Sequence, residues 1–398
     1  MLAGGAFHLT YCSNIHPGES WPEVRAALGA TLPAVRARLQ VEGPLGIGLR
    51  LSAAAAEELE RAESLEEFRD FLRRGNYYVF TINGFPYGAF HGTRVKERVY
   101  LPDWRDPARI HYSDRLARIL AALMDGGPDV TGTISTVPGA FRPTARRRRD
   151  ADQIARGILR HAATLHAIRQ QTGRTIALAL EPEPACFLET IDDAVEFFRS
   201  RLFDEVFVAE AAGDMRLDLD VGLVRRHVGL CLDTCHMAVE FEDAADAFAR
   251  LAGDGIMVAK VQVSSAIRIP SPAANPAALA TLARFADDVY LHQVVARGAA
   301  EFTRHTDLPD ALVTRATAAA GEWRVHFHVP LFMDALPPLE TTQGYVRQVL
   351  ALLRRNDACR YLEVETYTWD VLPPEYRTTD VGEAIARELA WVREQLEG

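Results

Sequence analysis

Polar side chains stand where several apolar runs of the sequence end. They are carboxylates, imidazoles and one amide: Glu181, Asp233, Gln262, His326, His328 and Glu365. Carboxylate and imidazole ligands together suit Zn²⁺, Mn²⁺, Fe²⁺ or Co²⁺. If the preceding runs are strands of one parallel barrel, their ends meet at its C-terminal face. The pattern therefore predicts a divalent-metal site built from residues far apart in the sequence.

Two histidine motifs carry much of this prediction. Asp233 and His236 lie three positions apart at a predicted strand-to-helix turn, a spacing that directs both side chains to one pocket. A capping role is the alternative for His236, and the neighbouring carboxylate favours the site. His326 and His328 lie two apart on a predicted strand, so both point the same way and can hold a metal. Packing within a polar barrel layer is the alternative for this pair.

Two glutamates are the predicted catalytic carboxylates. Glu181 follows the apolar run 177–180, and a carboxylate at the end of a buried strand must be paired or bound to metal. Its alternative role is a helix cap or an ion pair. Glu365 ends the last predicted strand, nearer the C-terminal rim than Glu363. Glu183 is interpreted as a rim residue, so the metal and acid–base roles are assigned to Glu181 and Glu365.

Substrate contacts are predicted at three further positions, His8, Asn83 and His326. His8 lies on the first predicted strand, where a hydrogen-bonded core histidine is an equal alternative. Asn83 closes the second predicted strand. Cys231 and Cys235 precede His236, but no second cysteine pair accompanies them, so a zinc–thiolate site is only weakly indicated.

Short apolar runs alternate with longer helical patterns, which predicts βα units and a parallel sheet. The predicted strands are 6–11, 78–82, 130–135, 175–180, 228–232, 256–263, 323–329 and 361–364, and the main helices are 21–39, 53–73, 113–124, 151–171 and 381–396. Eight units predict an α/β fold, a single (β/α)₈ TIM barrel over residues 1–398. Insertions are predicted at 85–110 and 270–312, and either could form a lid.

Composition limits which kinds of partner the protein can bind and which cellular compartment is expected. The net charge of −10 argues against nucleic acid, whose binding needs a basic face. The basic run 146–149 is interpreted as a solvated loop, with a phosphate or partner contact as the alternative. No run of about 18 apolar residues predicts a membrane span. Five scattered cysteines and no signal peptide predict a cytoplasmic protein with reduced thiols, its oligomeric state left open.

Several strand-end segments resemble the xylose isomerase-like barrel superfamily, which includes sugar-phosphate isomerases, ketose 3-epimerases and endonuclease IV-type repair enzymes. The matching segments are Leu180-Glu181-Pro182, Leu232-Asp233-Thr234-Cys235-His236, Val261-Gln262-Val263-Ser264-Ser265 and Glu363-Val364-Glu365-Thr366. The resemblance implies metal-binding carboxylates at Glu181, Asp233 and Glu365. It implies a substrate-contacting or second-metal role for His236.

The sequence departs from the superfamily pattern at one ligand. Gln262 stands where the superfamily usually has a metal-ligating histidine, and an amide oxygen binds transition metals less well than imidazole. Two ligand assignments therefore stay open, Gln262 itself or His328 in its place. The His326-x-His328 pair also resembles an aspartate-x-histidine element of the multi-zinc repair enzymes, so a two-metal site stays open as well.

A narrower resemblance is to the EboE-like metabolite traffic proteins. It rests on residues 8–21, on His326-Phe327-His328-Val329-Pro330 and on residues 363–369. It implies an isomerase- or epimerase-like barrel linked to synthesis or export of a secondary metabolite.

The favoured function is therefore a metal-dependent isomerase or epimerase of a small sugar, cyclitol or phosphorylated metabolite. Glu181 and Glu365 would exchange a proton beside a carbonyl, and His236 would stabilise the developing oxyanion. One alternative is a metal-dependent phosphoesterase of the endonuclease IV-like type, in which two or more ions activate water. Another is a non-catalytic metabolite-binding protein on an enzyme fold. One bound ion favours isomerisation, and two or more favour hydrolysis.

Overall fold

The computed structural model describes residues 1–124, 130–299, 301–314, 321–377 and 379–398. Its strands are β1 (Leu2–Ala3), β2 (Phe7–Tyr11), β3 (Leu45–Arg50), β4 (Tyr77–Asn83), β5 (Gly132–Thr136), β6 (Ile176–Leu180), β7 (Val228–Asp233), β8 (Val258–Val263), β9 (Ser265–Pro270), β10 (Val294–Arg297), β11 (Phe302–His305), β12 (Glu322–Val329), β13 (Ala335–Leu336), β14 (Leu339–Thr341) and β15 (Tyr361–Val364).

The helices alternate with these strands over most of the chain. They are α1 (Trp21–Leu39), α2 (Ala53–Leu59), α3 (Ala62–Gly75), α4 (Pro107–Leu123), α5 (Arg148–Thr172), α6 (Ile191–Phe197), α7 (Glu205–Met215), α8 (Val221–His227), α9 (Thr234–Val239), α10 (Ala244–Gly253), α11 (Pro276–Leu282), α12 (Leu308–Val313), α13 (Gln343–Asn356) and α14 (Val381–Glu397). No helix in the described ranges is long and apolar enough to cross a lipid bilayer.

The larger sheet is a nearly closed, mostly parallel barrel. Its strand order is β1-β2-β15-β8-β7-β6-β5-β4-β3, and only the short β1 pairs antiparallel, with β2. A parallel bridge between Cys12 and Gly48 joins the two sides of the sheet beyond the end of β2. Eight parallel strands with helices between them confirm the predicted TIM-barrel fold class.

The barrel strands are buried along their whole length. Every residue of β5, β6, β7 and β8 is buried. On β6, Leu178 and Leu180 join the main hydrophobic core, while Ala177 and Ala179 pack with Cys231 in a separate small cluster. Burial on both faces is what a continuously apolar strand predicts in a parallel sheet.

One predicted barrel strand was assigned wrongly, and one barrel strand was not predicted. The predicted strand 323–329 is β12, which pairs antiparallel with β9 and β10 in a second sheet ordered β11-β10-β12-β9-β14-β13. The barrel position is completed instead by β3, which the sequence reading left between two helices. The sequence did not predict β3 because it contains Gly46 and Gly48, and glycine weakens the pattern typical of a strand. A Cβ on Gly48 would lie 1.8 Å from Oε1 of Glu363, so only glycine fits there.

The second sheet and one loop enclose the C-terminal end of the barrel. The sheet starts at Ser265, two residues after β8 ends. The two predicted insertions, 85–110 and 270–312, contact each other: Nζ of Lys96 lies 2.6 Å from Oδ2 of Asp307, and the backbone N–H groups of Val95 and Lys96 both donate to the Val289 carbonyl. The predicted helix 53–73 is two helices, α2 and α3.

A buried glutamate ties the last helix to the strand ends. Glu388 on α14 accepts hydrogen bonds at 2.7 Å from Oγ1 of Thr366 and at 3.0 Å from the backbone N–H of Leu331. Burial raises the pKa of Glu388 to about 7. Thr366 directly follows Glu365, so this contact fixes the backbone of a predicted site residue.

Glu388 predicts a specific pH dependence of stability. Its pKa is higher in the folded than in the unfolded chain, so the unfolded state loses its proton first as the pH rises. The free energy of unfolding should fall between pH 4.5 and 7 by up to about 3 kcal/mol through this group, and stay level above. Glu388→Gln, which keeps an acceptor oxygen, should lack this decline in denaturant titrations. If the free energy of unfolding has the same pH dependence in the wild-type protein and in Glu388→Gln, the prediction is contradicted.

Candidate metal centre

Three carboxylates from different strand ends converge in the barrel mouth. One oxygen each from Glu181, Asp233 and Glu365 lies within 4.8 Å of the others. The residues are 2%, 1% and 4% exposed. Oε2 of Glu181 and Oδ2 of Asp233 are buried and have no hydrogen-bond partner in the described part of the chain. Unpartnered buried carboxylate oxygens are costly, and a divalent cation would satisfy them.

Asp233 is oriented by the helix that follows it. It is the N-cap of α9, and its Oδ1 accepts the backbone N–H groups of Cys235 at 2.7 Å and His236 at 3.0 Å. The Oγ hydroxyl of Ser264 donates to the same oxygen at 2.7 Å. Capping occupies Oδ1 and leaves Oδ2 facing the other carboxylates. The aspartate therefore both starts the helix and offers one free oxygen.

Glu365 is held by two asparagine side chains. Nδ2 of Asn14 donates to its Oε1 at 2.7 Å, and Nδ2 of Asn83 donates to the same oxygen at 2.8 Å. Asn83 itself is fixed, because its Oδ1 accepts the backbone N–H of Phe85 at 3.0 Å. The predicted substrate contact Asn83 thus lies in the site, where its amide positions the glutamate.

His328 lies beside this carboxylate group although β12 belongs to the second sheet. Its Nδ1 donates to the backbone carbonyl of Glu365 at 2.9 Å, which places the proton on Nδ1. Its Nε2 is unpartnered and 4.0 Å from Oδ2 of Asp233. A histidine whose other nitrogen donates to a carbonyl is the usual arrangement for a metal ligand.

Gln262 lies below the carboxylates, paired with a thiol. Its Oε1 accepts from Sγ of Cys231 at 2.9 Å, and its Nε2 has no partner among the described residues. Its neighbour two residues earlier, Lys260, forms an ion pair with Glu363 at 2.5 Å and donates to Oγ of Ser135 at 3.1 Å. Because its oxygen is engaged, Gln262 is a poorer candidate ligand than His328.

A second group of donors borders the first. Ligand atoms of Glu183, His236 and His326 lie within 4.8 Å of one another. The Nε2 atoms of the two histidines face each other at 3.1 Å. Glu183, interpreted from sequence as a rim residue, is only 4% exposed and accepts a hydrogen bond from the Tyr100 hydroxyl at 2.7 Å. That interpretation was wrong because residues after the strand turn back into the barrel mouth: the Glu183 N–H donates to the Leu188 carbonyl at 3.1 Å.

His8 lies outside this centre, so its prediction as a substrate contact is corrected. It is the second residue of β2, and its register partner is Tyr361, the first residue of β15. It therefore lies near the N-terminal ends of the strands, opposite the site. There it stacks on Tyr361, with its Nδ1 3.1 Å from the Tyr78 hydroxyl.

A cavity of about 50 Å³, measured as the space open to the centre of a water molecule, opens onto both donor groups. Its polar wall includes Glu181, Glu183, His236, His326 and Glu365, and its other walls are largely aromatic and aliphatic: Phe85, Pro86, Phe90, Val95, Val99, Tyr100, Tyr290, Leu291 and Tyr367. Residues from both predicted insertions line it. Lys96 is the one cationic side chain in this lining, and its ammonium is already paired with Asp307.

Burial and mutual repulsion set the ionisation of the site. Burial, together with the charges of Glu365 and Asp233, raises the pKa of Glu181, and burial with the Asp233 charge raises that of Glu365. Burial opposes ionisation of Asp233 too, but His236 and His328 hold its pKa below the usual value. Burial lowers the pKa of His328 to about 4. The imidazole is therefore neutral near pH 7, as a metal ligand must be.

The fold is that of known xylose isomerase-like TIM barrels. A xylose isomerase-like TIM barrel protein from Mycobacterium smegmatis, in complex with magnesium, aligns with a TM-score of 0.51 at 12% identity, over 100% of this chain and 99% of the other. A xylose isomerase domain protein from Planctomyces limnophilus aligns with a TM-score of 0.50 at 14% identity, over 91% of this chain and 90% of the other. IolI with a bound zinc atom aligns with a TM-score of 0.49 at 13% identity, over 98% of this chain and 97% of the other. No protein-family model and no curated protein sequence matches the chain.

The buried pair beneath the site yields a stability prediction. Lys260 and Glu363 are both 0% exposed, and the Glu363 charge holds the pKa of Lys260 above its usual value. Lys260→Met should reduce the free energy of unfolding by about 3–5 kcal/mol, because it leaves the buried carboxylate of Glu363 without its cationic partner. Adding Glu363→Gln should recover most of that loss. Denaturant unfolding of both variants checks this, and additive losses in the double variant would refute it.

Proposed function

We propose that this protein is a divalent-metal-dependent isomerase or epimerase acting on a small polyhydroxylated metabolite. The observation that carries the proposal is the convergence of the Glu181, Asp233 and Glu365 carboxylates. Glu181 and Asp233 each have one unpartnered oxygen, and Glu181 and Glu365 line the cavity. His328 is the proposed fourth ligand, in place of Gln262. A bound divalent ion supplies Lewis-acid polarisation of a substrate carbonyl.

The two glutamates have the proton-transfer roles. Both line the cavity, and Glu365 keeps one oxygen free of the asparagine amides. Their pKa values are raised by burial, which brings a carboxylate closer to the basicity that proton transfer near pH 7 needs. One removes the proton beside the carbonyl, and the other returns it. His236 also lines the cavity, and its role is to stabilise the developing oxyanion through a proton on Nε2, because Nδ1 is engaged by the Pro182 carbonyl.

The lining favours a neutral, unphosphorylated substrate. A phosphate is normally bound by free cationic side chains or exposed helix N-termini. Here Lys96 is neutralised by Asp307, and the N-terminus of α9 is capped by Asp233. Aromatic walls suit the apolar face of a sugar or cyclitol ring. The resemblance of residues 8–21 and 363–369 to EboE-like metabolite traffic proteins supports a metabolite made or moved in secondary metabolism.

A second candidate is a metal-dependent phosphoesterase of the endonuclease IV-like type. It is favoured by the second donor group, Glu183, His236 and His326, because paired metal ions are typical of such enzymes. Steady hydrolysis of a phosphomonoester or phosphodiester by the metal-loaded protein, without any C–H exchange, would favour this candidate over isomerisation.

Solvent exchange tests the isomerase directly. The metal-loaded protein, incubated in D₂O with a panel of ketoses and keto-cyclitols, should incorporate deuterium at the carbon beside the carbonyl, as followed by NMR. Glu365→Gln should slow this exchange by about 10²–10⁴-fold, the usual contribution of a positioned general base. Glu210→Gln, at an exposed glutamate of α7, serves as the matched control. A metal-loaded wild-type protein without exchange on any panel member would refute the proposal.

The ligand assignment predicts unequal effects of two substitutions. His328→Asn removes a free imidazole nitrogen and should weaken divalent-metal affinity at least tenfold. Gln262→Met, at a side chain whose oxygen is engaged by Cys231, should change it less than about threefold. Titration of the metal-free protein with Mn²⁺ or Co²⁺ measures both. The reverse order of effects would assign the ligand role to Gln262.

A further inference from the structure

Asn14, one of the two asparagines that hold Glu365, is itself held by a histidine of the first predicted insertion, 85–110. Nδ2 of Asn14 donates to Oε1 of Glu365, because an amide nitrogen only donates. The Asn14 backbone carbonyl, in the single 3₁₀ turn Ser13–Ile15, accepts from Nε2 of His91 at 2.6 Å. The glutamate is therefore connected through one asparagine to a loop that lines the cavity.

The direction of each hydrogen bond at His91 follows from its neighbours. A carbonyl oxygen only accepts, so Nε2 of His91 carries a proton. Burial lowers the pKa of His91, so the imidazole is neutral near pH 7 and its Nδ1 is an acceptor. The Tyr290 hydroxyl, 3.1 Å from Nδ1, is the donor. Both ring nitrogens are thus engaged, and neither is left to bind a metal or a substrate.

Tyr290 comes from the second predicted insertion, 270–312, so its contact with His91 joins the two insertions. The Tyr290 side chain is buried and packs against Phe90 and Tyr367, with ring centroids 5.0 and 5.1 Å apart. This packing fixes the direction of the hydroxyl. The hydrogen bond to His91 therefore forms only while both insertions lie against each other.

The contacts form one directed chain from the second insertion to Glu365. Tyr290 donates to His91, and His91 donates to the Asn14 carbonyl. Asn14 in turn donates through its amide to Glu365. Asn83, the other donor to this carboxylate, takes no part in the chain. Separation of the two insertions would consequently loosen one of the two amides that orient the glutamate and leave the other in place.

We infer that His91 and Tyr290 are positioning residues that act through Asn14 to orient Glu365, so that the glutamate reaches its working geometry only when the two insertions are in contact. The inference rests on the proposed roles of Glu365 in proton transfer and metal binding. A displacement of about 1 Å near a reacting group can slow a reaction about 10²-fold. The effect should fall on the rate rather than on substrate affinity, because His91 is absent from the described residues that line the cavity.

Kinetics of solvent exchange test the inference. On the panel member that the metal-loaded wild-type protein exchanges fastest, His91→Leu should lower kcat about 10–100-fold and change KM less than about threefold. His91→Gln, whose amide supplies both a donor and an acceptor, should restore kcat to within about fivefold of wild type. Tyr290→Phe, which removes one hydroxyl and keeps the packed ring, should lower kcat about three- to tenfold.

Tyr345→Phe on α13 is the matched control for the loss of a tyrosine hydroxyl. The Tyr345 hydroxyl is buried, has no hydrogen-bond partner among the described residues and lies outside the described cavity lining. Its removal should leave kcat and KM at the wild-type values.

Metal affinity gives a second readout that needs no activity. Titration of the metal-free full-length protein with Mn²⁺ should show about tenfold weaker binding to His91→Leu than to wild type, because residues that orient a ligand affect metal affinity. His91→Gln should recover most of that affinity, and Tyr345→Phe should bind as the wild type does.

The outcomes separate this inference from the proposed isomerase. A wild-type protein that exchanges no panel member refutes the isomerase, and the Mn²⁺ titration then decides the positioning role. Unchanged kcat and Mn²⁺ affinity in His91→Leu overturn the inference, whatever the effect on the free energy of unfolding. Losses that His91→Gln fails to restore overturn it too. If His91→Leu does not fold, Tyr290→Phe is measured in its place, and values equal to those of Tyr345→Phe refute the positioning role.

Discussion

The concentration of negative charge inside the barrel mouth is the constraint on which the rest of the structure depends. Glu181, Glu183, Asp233, Glu363 and Glu365 are each at most 4% exposed. An ionised carboxylate removed from water costs several kcal/mol unless a partner stabilises it. Lys260 is placed among them and is committed to Glu363. The remaining charge must be stabilised by hydrogen-bond donors and by cations from solution.

The surrounding polar groups engage one atom of Asp233, of Glu365 and of each histidine, and leave a second atom turned toward the site. Asp233 uses one oxygen to cap α9, and Glu365 uses one to accept two amide hydrogen bonds. The histidines donate through Nδ1 and turn Nε2 inward. Ligand orientation is thus set by backbone carbonyls, by the N-terminus of α9 and by buried amide side chains. A preorganised site of this kind loses little entropy when an ion binds.

The positions of the carboxylates can be predicted from the sequence more readily than the residues that surround them. Glu181 and Asp233 follow apolar runs, a local pattern that predicts a buried strand end. His326 and His328 lie near these residues, but on the second sheet rather than on a barrel strand. The sequence could not show this, because alternation with a period of two is the same in parallel and antiparallel strands. Glu183 was missed because its burial depends on contacts with residues distant in sequence, Tyr100 and Gln293. His8 was misplaced because a strand pattern does not show which end of the barrel a residue occupies.

Two of the imidazoles at the site come from the second sheet and not from the barrel, and this affects which parts of the site can change independently. The carboxylates belong to the ends of barrel strands, whereas His326 and His328 come from β12 of the second sheet. Sequence change confined to that sheet would alter the imidazoles and leave the barrel and its carboxylates intact. Substitutions in the second sheet would therefore change these imidazole donors while the barrel keeps its carboxylates, so ion preference and barrel stability can be altered separately.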